Sequence, residues 1–238
     1  MVRLGIDVRL GEVADSVLRE GDGIVVRLAS GASLHCDRLL NAAGRNGATA
    51  GLGLEEAGVR MAPRGCVEVD AEYRTNVPSI FAAGDVVGFP ALASTSMEQG
   101  RVAVCRAFGF EYKQQMSTLL PYGIFTIPEV SAVGLTEQEA AAKGQAVVCG
   151  RALYRENARG KIIGASEGMV KLVFDAHTRR LAGTHIIGDG AAELLHIGQA
   201  MIALGGTVET LVETVFNYPT LSECYKYAAY DALGRWPA

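Results

Sequence analysis

Thr75-Asn-Val-Pro-Ser-Ile-Phe-Ala-Ala-Gly-Asp85 is the stretch that decides how this chain is read. Asn76 and Pro78-Ser79 are turn formers. Ile80 to Ala83 form a short apolar run, which predicts a strand buried on both faces. The run stops at Gly84-Asp85. A glycine lets another backbone or a ligand come close. Asp85 then places a carboxylate at the carboxyl end of the strand, where ligands sit in open α/β sheets. An acceptor-only side chain suits a ligand rich in hydroxyls, such as a sugar or a ribityl chain. The pattern alone fits an ordinary buried strand followed by a glycine turn equally well.

Around this stretch lie 238 residues, enough for one large domain or two small ones. The chain is 49% hydrophobic and 20% charged, a globular composition. Its net charge is −4 and it has no basic run, so neither nucleic acid nor an anionic membrane is an implied partner. No apolar stretch approaches the ~20 residues of a membrane span. Met1-Val-Arg-Leu is too short and too charged to open a signal peptide. Cysteines at 36, 66, 105, 149 and 224 make no C-x-x-C pair and no metal-ligand spacing. They read as reduced thiols of a cytoplasmic protein, each a small core hydrophobe, with no metal site.

Residues 1–45 read as strands and turns without a helix. Asp22-Gly23 is a hairpin signal between Val17-Leu18 and Ile24-Val25-Val26, and Ser30-Gly31 makes a second turn. Leu39 to Gly44-Arg45 predicts an apolar strand ending in glycine. Residues 46–74 are a glycine-rich connection, with a short strand over Cys66–Val69. After Asp85 the sequence predicts a helix from about Ser96 to Phe108. Thr95 and Glu98 are placed to form its capping box, and Gly109 ends it. No G-x-G-x-x-G turn of a nucleotide-binding βαβ unit occurs in the chain.

Residues 118–238 read as a separate α+β unit. Strands are expected at Tyr122–Thr126, Glu129–Gly134, Ala146–Tyr154, Met169–Phe174 and Leu181–Ile187. Thr136 and Glu139 cap a short helix that ends at Gly144. Ala191–Leu204 and Thr207–Thr214 are helical. Thr220-x-x-Glu223 is a capping box for a last helix running to Gly234. His185 and His196 read as a plain strand residue and a plain helix residue.

With these residues laid out, the chain resembles the two-dinucleotide-binding-domain flavoprotein disulfide reductases. Thr75 to Asp85 looks like their second flavin-contacting motif, whose aspartate holds a ribityl hydroxyl of FAD. Ala91, Leu92, Ala93 and Ser94 match positions whose backbone lines the pyrimidine edge of the flavin, at a helix N-terminus. Gly44 matches the approach of backbone to the nicotinamide nucleotide. Phe125-Thr-Ile-Pro-Glu129-Val-Ser-Ala-Val-Gly134 and Gly183-Thr-His-Ile-Ile-Gly188 resemble the opening and the interior of the family's dimerisation domain. The implied fold is an α+β dimerisation domain, an antiparallel sheet with flanking helices, preceded by partial α/β nucleotide-binding segments. The implied divisions are 1–50 for the NAD(P) domain, 51–117 for the FAD domain and 118–238 for the dimer interface. The resemblance covers the C-terminal half of the family's chain, so the G-x-G-x-x-G motif and any cysteine pair would lie upstream of Met1.

The tail decides the implied chemistry. In dithiol-using members a histidine precedes the proline of Phe216-Asn-Tyr218-Pro219-Thr220, and a glutamate five residues on orients it. Such a proton shuttle titrates near neutral pH. A phenol, ordinarily titrating near ~10, does not serve, so Tyr218 implies no catalytic acid or base. Glu223 reads better as a helix cap than as a catalytic partner. Phe-Asn-Tyr-Pro-Thr, with Pro90-x-Leu-Ala-Ser94 and Gln99-Gly100-Arg101, resembles the soluble pyridine nucleotide transhydrogenases. Mercuric reductases share the tyrosine but end in a cysteine pair, whereas this chain ends Trp236-Pro-Ala238. The resemblance therefore implies FAD as cofactor, NAD(P) as substrate, hydride transfer between NADPH and NAD+, and a homodimer formed through 118–238. An inactive dimerisation module and a dihydrolipoamide-type disulfide reductase are the rival expectations.

Overall fold

The computed structural model describes residue 2 and residues 5–236, and these divide after Asn46 into two units. In the first unit, β1 (Ala14–Glu20), β2 (Gly23–Leu28) and β3 (Ser33–Cys36) form an antiparallel meander in that order. Glu20 pairs with Gly23, so Gly21-Asp22 make the turn, one residue earlier than expected. The left-handed position falls on Gly21 (φ 58°), which frees Gly23 to enter the strand. Val25, Val26 and Leu28 of β2 are the buried residues of this meander. The strand expected over Leu39 to Gly44 is not formed. No strand among the described residues pairs with it, and Leu39 and Leu40 remain exposed.

The second unit begins with a two-stranded ribbon, β4 (Met61–Ala62) and β5 (Cys66–Val67). The stretch Ile80–Ala83 is likewise not a buried strand. Phe81 makes one isolated antiparallel bridge to Arg74, and the four residues are half-buried. Their neighbour is the turn just before them: Thr75 N–H donates to Ile80 O at 2.9 Å, and Ala82 N–H donates to Tyr73 O at 3.0 Å. Helix α1 (Ala93–Phe108) follows and ends at Gly109 in the left-handed conformation.

Next come β6 (Tyr122–Ile124), β7 (Val130–Gly134), α2 (Glu137–Ala142), β8 (Val147–Leu153), α3 (Ala158–Ile163), β9 (Met169–Asp175), β10 (Leu181–Ile187), α4 (Ala191–Ala203), α5 (Val208–Glu213) and α6 (Glu223–Leu233). The strands form one antiparallel sheet in the order β6-β7-β10-β9-β8. Alternation along β9 sends Val170, Leu172 and Phe174 into the core, where they join Tyr154, Tyr225 and the alanine face of α6. Alanines at 228, 229 and 232 bring α6 close to β8: a Cβ added to Gly150 would lie 1.9 Å from Ala228 O. Tyr225 Oη donates to Leu194 O at 2.8 Å and accepts from Gly198 N–H at 3.1 Å, which ties α6 to α4. At the β8 edge, Arg151 N–H donates to the Asp231 carboxylate of α6 at 2.9 Å.

The capping box of α2 is present as expected, with Thr136 Oγ1 accepting from Glu139 N–H and Glu139 accepting from Thr136 N–H. Helix α3 was not anticipated. Asn157 caps it, accepting from Arg159 N–H and Gly160 N–H, but six residues that include Gly160 leave little periodicity to read. The box expected at the start of α6 is absent. Thr220 Oγ1 donates instead to Asn217 O at 2.7 Å, and Ser222 occupies the N-cap without a side-chain bond.

Candidate functional site

The first turn of α1 organises the site. Leu92 is extended (φ −125°, ψ 139°), and no side chain caps the helix. The N–H groups of a helix's first turn have no intrahelical acceptor, so here they are open to a ligand. The expected capping box between Thr95 and Glu98 does not exist, because the helix starts earlier, at Ala93. The Thr95 hydroxyl turns back to Leu92 O (2.8 Å) and Pro90 O (3.1 Å). Glu98 pairs with Lys113 and Arg101, which hold its carboxyl below the usual range, Lys113 foremost. Ala91, Ala93 and Ser94 are exposed and Leu92 is half-buried. The earlier start puts Ala93 and Ser94 in the first helical turn itself.

Gly84 and Asp85 lie against the same helix. Gly84 has φ 88° and ψ −161°, a conformation open in practice to glycine alone. Its N–H donates to Gln99 Oε1 at 2.7 Å. Asp85 opens a one-turn 3-10 helix, Asp85–Val87, with its carboxylate exposed. Ser96 Oγ lies 3.5 Å from Asp85 Oδ1 and also donates to Leu92 O at 2.9 Å. One segment of α1 thus holds a solvent-facing carboxylate beside a helix N-terminus carrying about half a positive charge. The pair accepts hydrogen bonds from hydroxyls at one end and favours negative charge at the other.

The other expected residues lie on other segments of the chain. Gly44 (φ 99°, exposed) belongs to the first unit. Tyr218 is 74% exposed in the turn before α6. Glu223 is the first residue of α6, and its Oε2 is buried without a hydrogen-bond partner. His185 Nε2 meets Leu135 O at 3.0 Å and His196 Nδ1 meets Gln199 Oε1 at 2.8 Å, both ordinary structural contacts. Ser96 and Gln99 were not singled out as site residues. The readable signal was a glutamine on the apolar stripe Thr95, Gln99, Val102, Cys105, all buried in the structure.

Comparison with known proteins settles the lineage. Residues 1–100 match the pyridine nucleotide-disulphide oxidoreductase model, and residues 120–229 match the dimerisation domain of the same family. The chain belongs to the pyridine nucleotide-disulphide oxidoreductase family. Within that family it is 47% identical over 235 residues to the soluble pyridine nucleotide transhydrogenase of Mycobacterium tuberculosis (strain ATCC 25177 / H37Ra), covering 99% of this chain and 50% of the relative. It is 40% identical over 234 residues to the soluble pyridine nucleotide transhydrogenase of Yersinia enterocolitica, covering 97% and 50%. The chain therefore spans about half the length of these curated relatives. Among solved structures, LpdA from Mycobacterium tuberculosis superposes with a TM-score of 0.85 at 30% identity, over 96% of this chain and 50% of that one. The flavoprotein disulfide reductase RclA from Escherichia coli gives 0.88 at 26% identity, over 96% and 53%. The five-stranded sheet with its helices is the family's dimerisation domain, and nucleotide-binding segments precede it, as the sequence implied. Among the described residues no helix is long and apolar enough to cross a membrane.

Proposed function

We propose that this chain carries the C-terminal part of a FAD-dependent enzyme that transfers hydride between NADPH and NAD+. In this reading residues 1–50 belong to the NAD(P)-binding domain, 51–117 to the FAD domain and 118–238 to the dimer interface. The observation that carries it is the Asp85 carboxylate held beside the uncapped start of α1, in a chain 47% identical to a soluble transhydrogenase. The residues present fit FAD: an exposed acceptor for a ribityl hydroxyl, a glycine turn at its base, and open helix N–H groups for the ring edge.

FAD, when bound, supplies the two-electron carrier. Asp85 would anchor the ribityl chain, and the backbone of Ala91 to Ser94 would line the ring edge. The positive end of α1 would offset negative charge at that edge. Gly44 would let backbone approach the nicotinamide nucleotide. Tyr218 would take no part in proton transfer and Glu223 would have no catalytic duty. Relatives named as soluble support a cytoplasmic setting.

The test is a visible spectrum of the purified chain with and without FAD, followed by a transhydrogenation assay with NADPH and an NAD+ analogue. Asp85→Asn should weaken FAD binding about 10-fold or more, the worth of a charge-assisted hydrogen bond. A chain that stays colourless in excess FAD would sink flavin catalysis by this polypeptide. That result would favour the second reading, an inactive dimerisation module, to which the self-contained core of Tyr154, Leu172, Phe174, Ile186 and Tyr225 already points.

A further inference from the structure

We propose that Gln99 is a positioning residue: its side-chain oxygen anchors the Gly84 N–H and so sets where Asp85 presents its carboxylate relative to the start of α1. The ligand part of this inference rests on the FAD reading above.

Gln99 is 2% exposed and lies on the buried stripe of α1, between Thr95 and Val102. Packing alone would be met there by an apolar residue, because burying an amide is unfavourable unless its polar atoms are bonded. The bond it makes is specific. Oε1 accepts from the N–H of Gly84, the residue immediately before Asp85, at 2.7 Å and across 15 positions of sequence. Gly84 is held at φ 88°, and such a conformation persists only when its surroundings over-determine it. Gln99 supplies one constraint. Ser96, one turn earlier on α1, packs beside this segment at ordinary contact distance, with its Oγ 3.5 Å from Asp85 Oδ1.

Both proposed points of contact with the flavin therefore hang from one helix. The ring-edge amides are the first turn of α1 itself. The ribityl acceptor is tied to the second turn through Gln99 and Gly84. The spacing between them is fixed by a side chain that touches neither. Positioning of this kind matters because small misplacements of a binding group weaken binding and slow chemistry steeply.

The test compares Gln99→Met, which keeps the volume and loses the acceptor, with Gln99→Glu, which keeps an acceptor oxygen. Amide hydrogen exchange at Gly84 is measured on the whole chain without ligand, and FAD affinity is measured by titration. The expected result is Gly84 exchange at least ~10-fold faster in Gln99→Met, near wild type in Gln99→Glu, with FAD affinity falling and recovering in parallel. Unchanged Gly84 exchange in Gln99→Met overturns the anchor, whatever happens to FAD. Faster exchange with unchanged FAD affinity overturns the positioning role and leaves Gln99 structural. A wild-type chain that takes up no FAD overturns the half-site reading and the ligand part of this inference together. The exchange series then still decides the anchor.

Discussion

Asp175 shows how a single carboxylate couples this fold to pH. It accepts from the N–H groups of Thr178 (2.7 Å) and His177 (3.0 Å), the Thr178 hydroxyl (2.9 Å) and Gln145 Nε2 (3.0 Å). These donors, Thr178 N–H foremost, lower its pKa to about 2. An unfolded aspartate titrates near ~3.9. The stabilisation is therefore full above the unfolded value and is lost as pH falls through the folded one. Asp175→Asn should lower the thermal midpoint at neutral pH and flatten its decline between about pH 4 and about pH 2, in a pH series of melting curves. At this scale the sequence was a good guide to some residues and a poor one to others. The cysteines read as core atoms: Cys105, Cys149 and Cys224 are buried, and burial first of all raises the thiols of Cys149 and Cys224 to about 12. Cys36 and Cys66 are only half-buried. Gln99 escaped notice because a polar residue on an apolar stripe shows its purpose only when its partner, 15 positions away, is in view.

Helix starts show what a local motif leaves open. The pattern Thr-x-x-Glu predicts capping boxes at 136/139, 95/98 and 220/223, and of these three only 136/139 forms one. At 95 the helix has already begun, because Leu92 O accepts the Ser96 N–H at 2.9 Å. At 220 the hydroxyl is taken by Asn217 O. The motif supplies the donors and acceptors, but competition with nearby carbonyls settles whether they meet. Glycines are the reverse case, silent in sequence and strict in structure. Gly150 on β8 has no left-handed φ to mark it, yet its missing Cβ is what lets α6 approach. Gly150→Ala should destabilise the chain by about 3 kcal/mol, since backbone rather than a flexible side chain blocks the new atom. Chemical denaturation would show this as a lower midpoint, and a wild-type midpoint would mean that α6 docks less closely than described.

For the molecule as a whole, periodicity gave the five strands of the larger sheet and four of the five helices after α1 within a residue or two. That domain carries its own strand partners, so alternation in β9 and β10 is matched by neighbours in the same chain. Of the two apolar runs, Leu39–Gly44 predicts a strand ending in glycine and Ile80–Ala83 a strand buried on both faces, and neither forms one. Their composition is that of strands covered on both faces, and among the described residues Leu39–Gly44 has no strand partner while Ile80–Ala83 gains only the bridge from Phe81 to Arg74. Exposed Phe125, Ile127 and Val215, at 80%, 94% and 91%, are large apolar side chains on the dimerisation domain. In the proposed homodimer such residues are buried by the two-fold contact. Sedimentation equilibrium should give a dimer for the wild type and a monomer for the Phe125→Asp, Ile127→Asp double variant. A wild-type monomer would count against the interface.

The bond from Arg151 to Asp231 bears on a different hazard. A seven-residue strand at the margin of a sheet offers its unpaired amides to any other extended chain, which is how soluble proteins begin to aggregate. Here β8 is such a margin, and α6 places a carboxylate on the Arg151 amide, one residue past its middle. The opposite margin, β6, is only three residues long. The sheet is thus blunted on one side by brevity and on the other by a borrowed acceptor, so that recruitment of a foreign strand is discouraged at both ends.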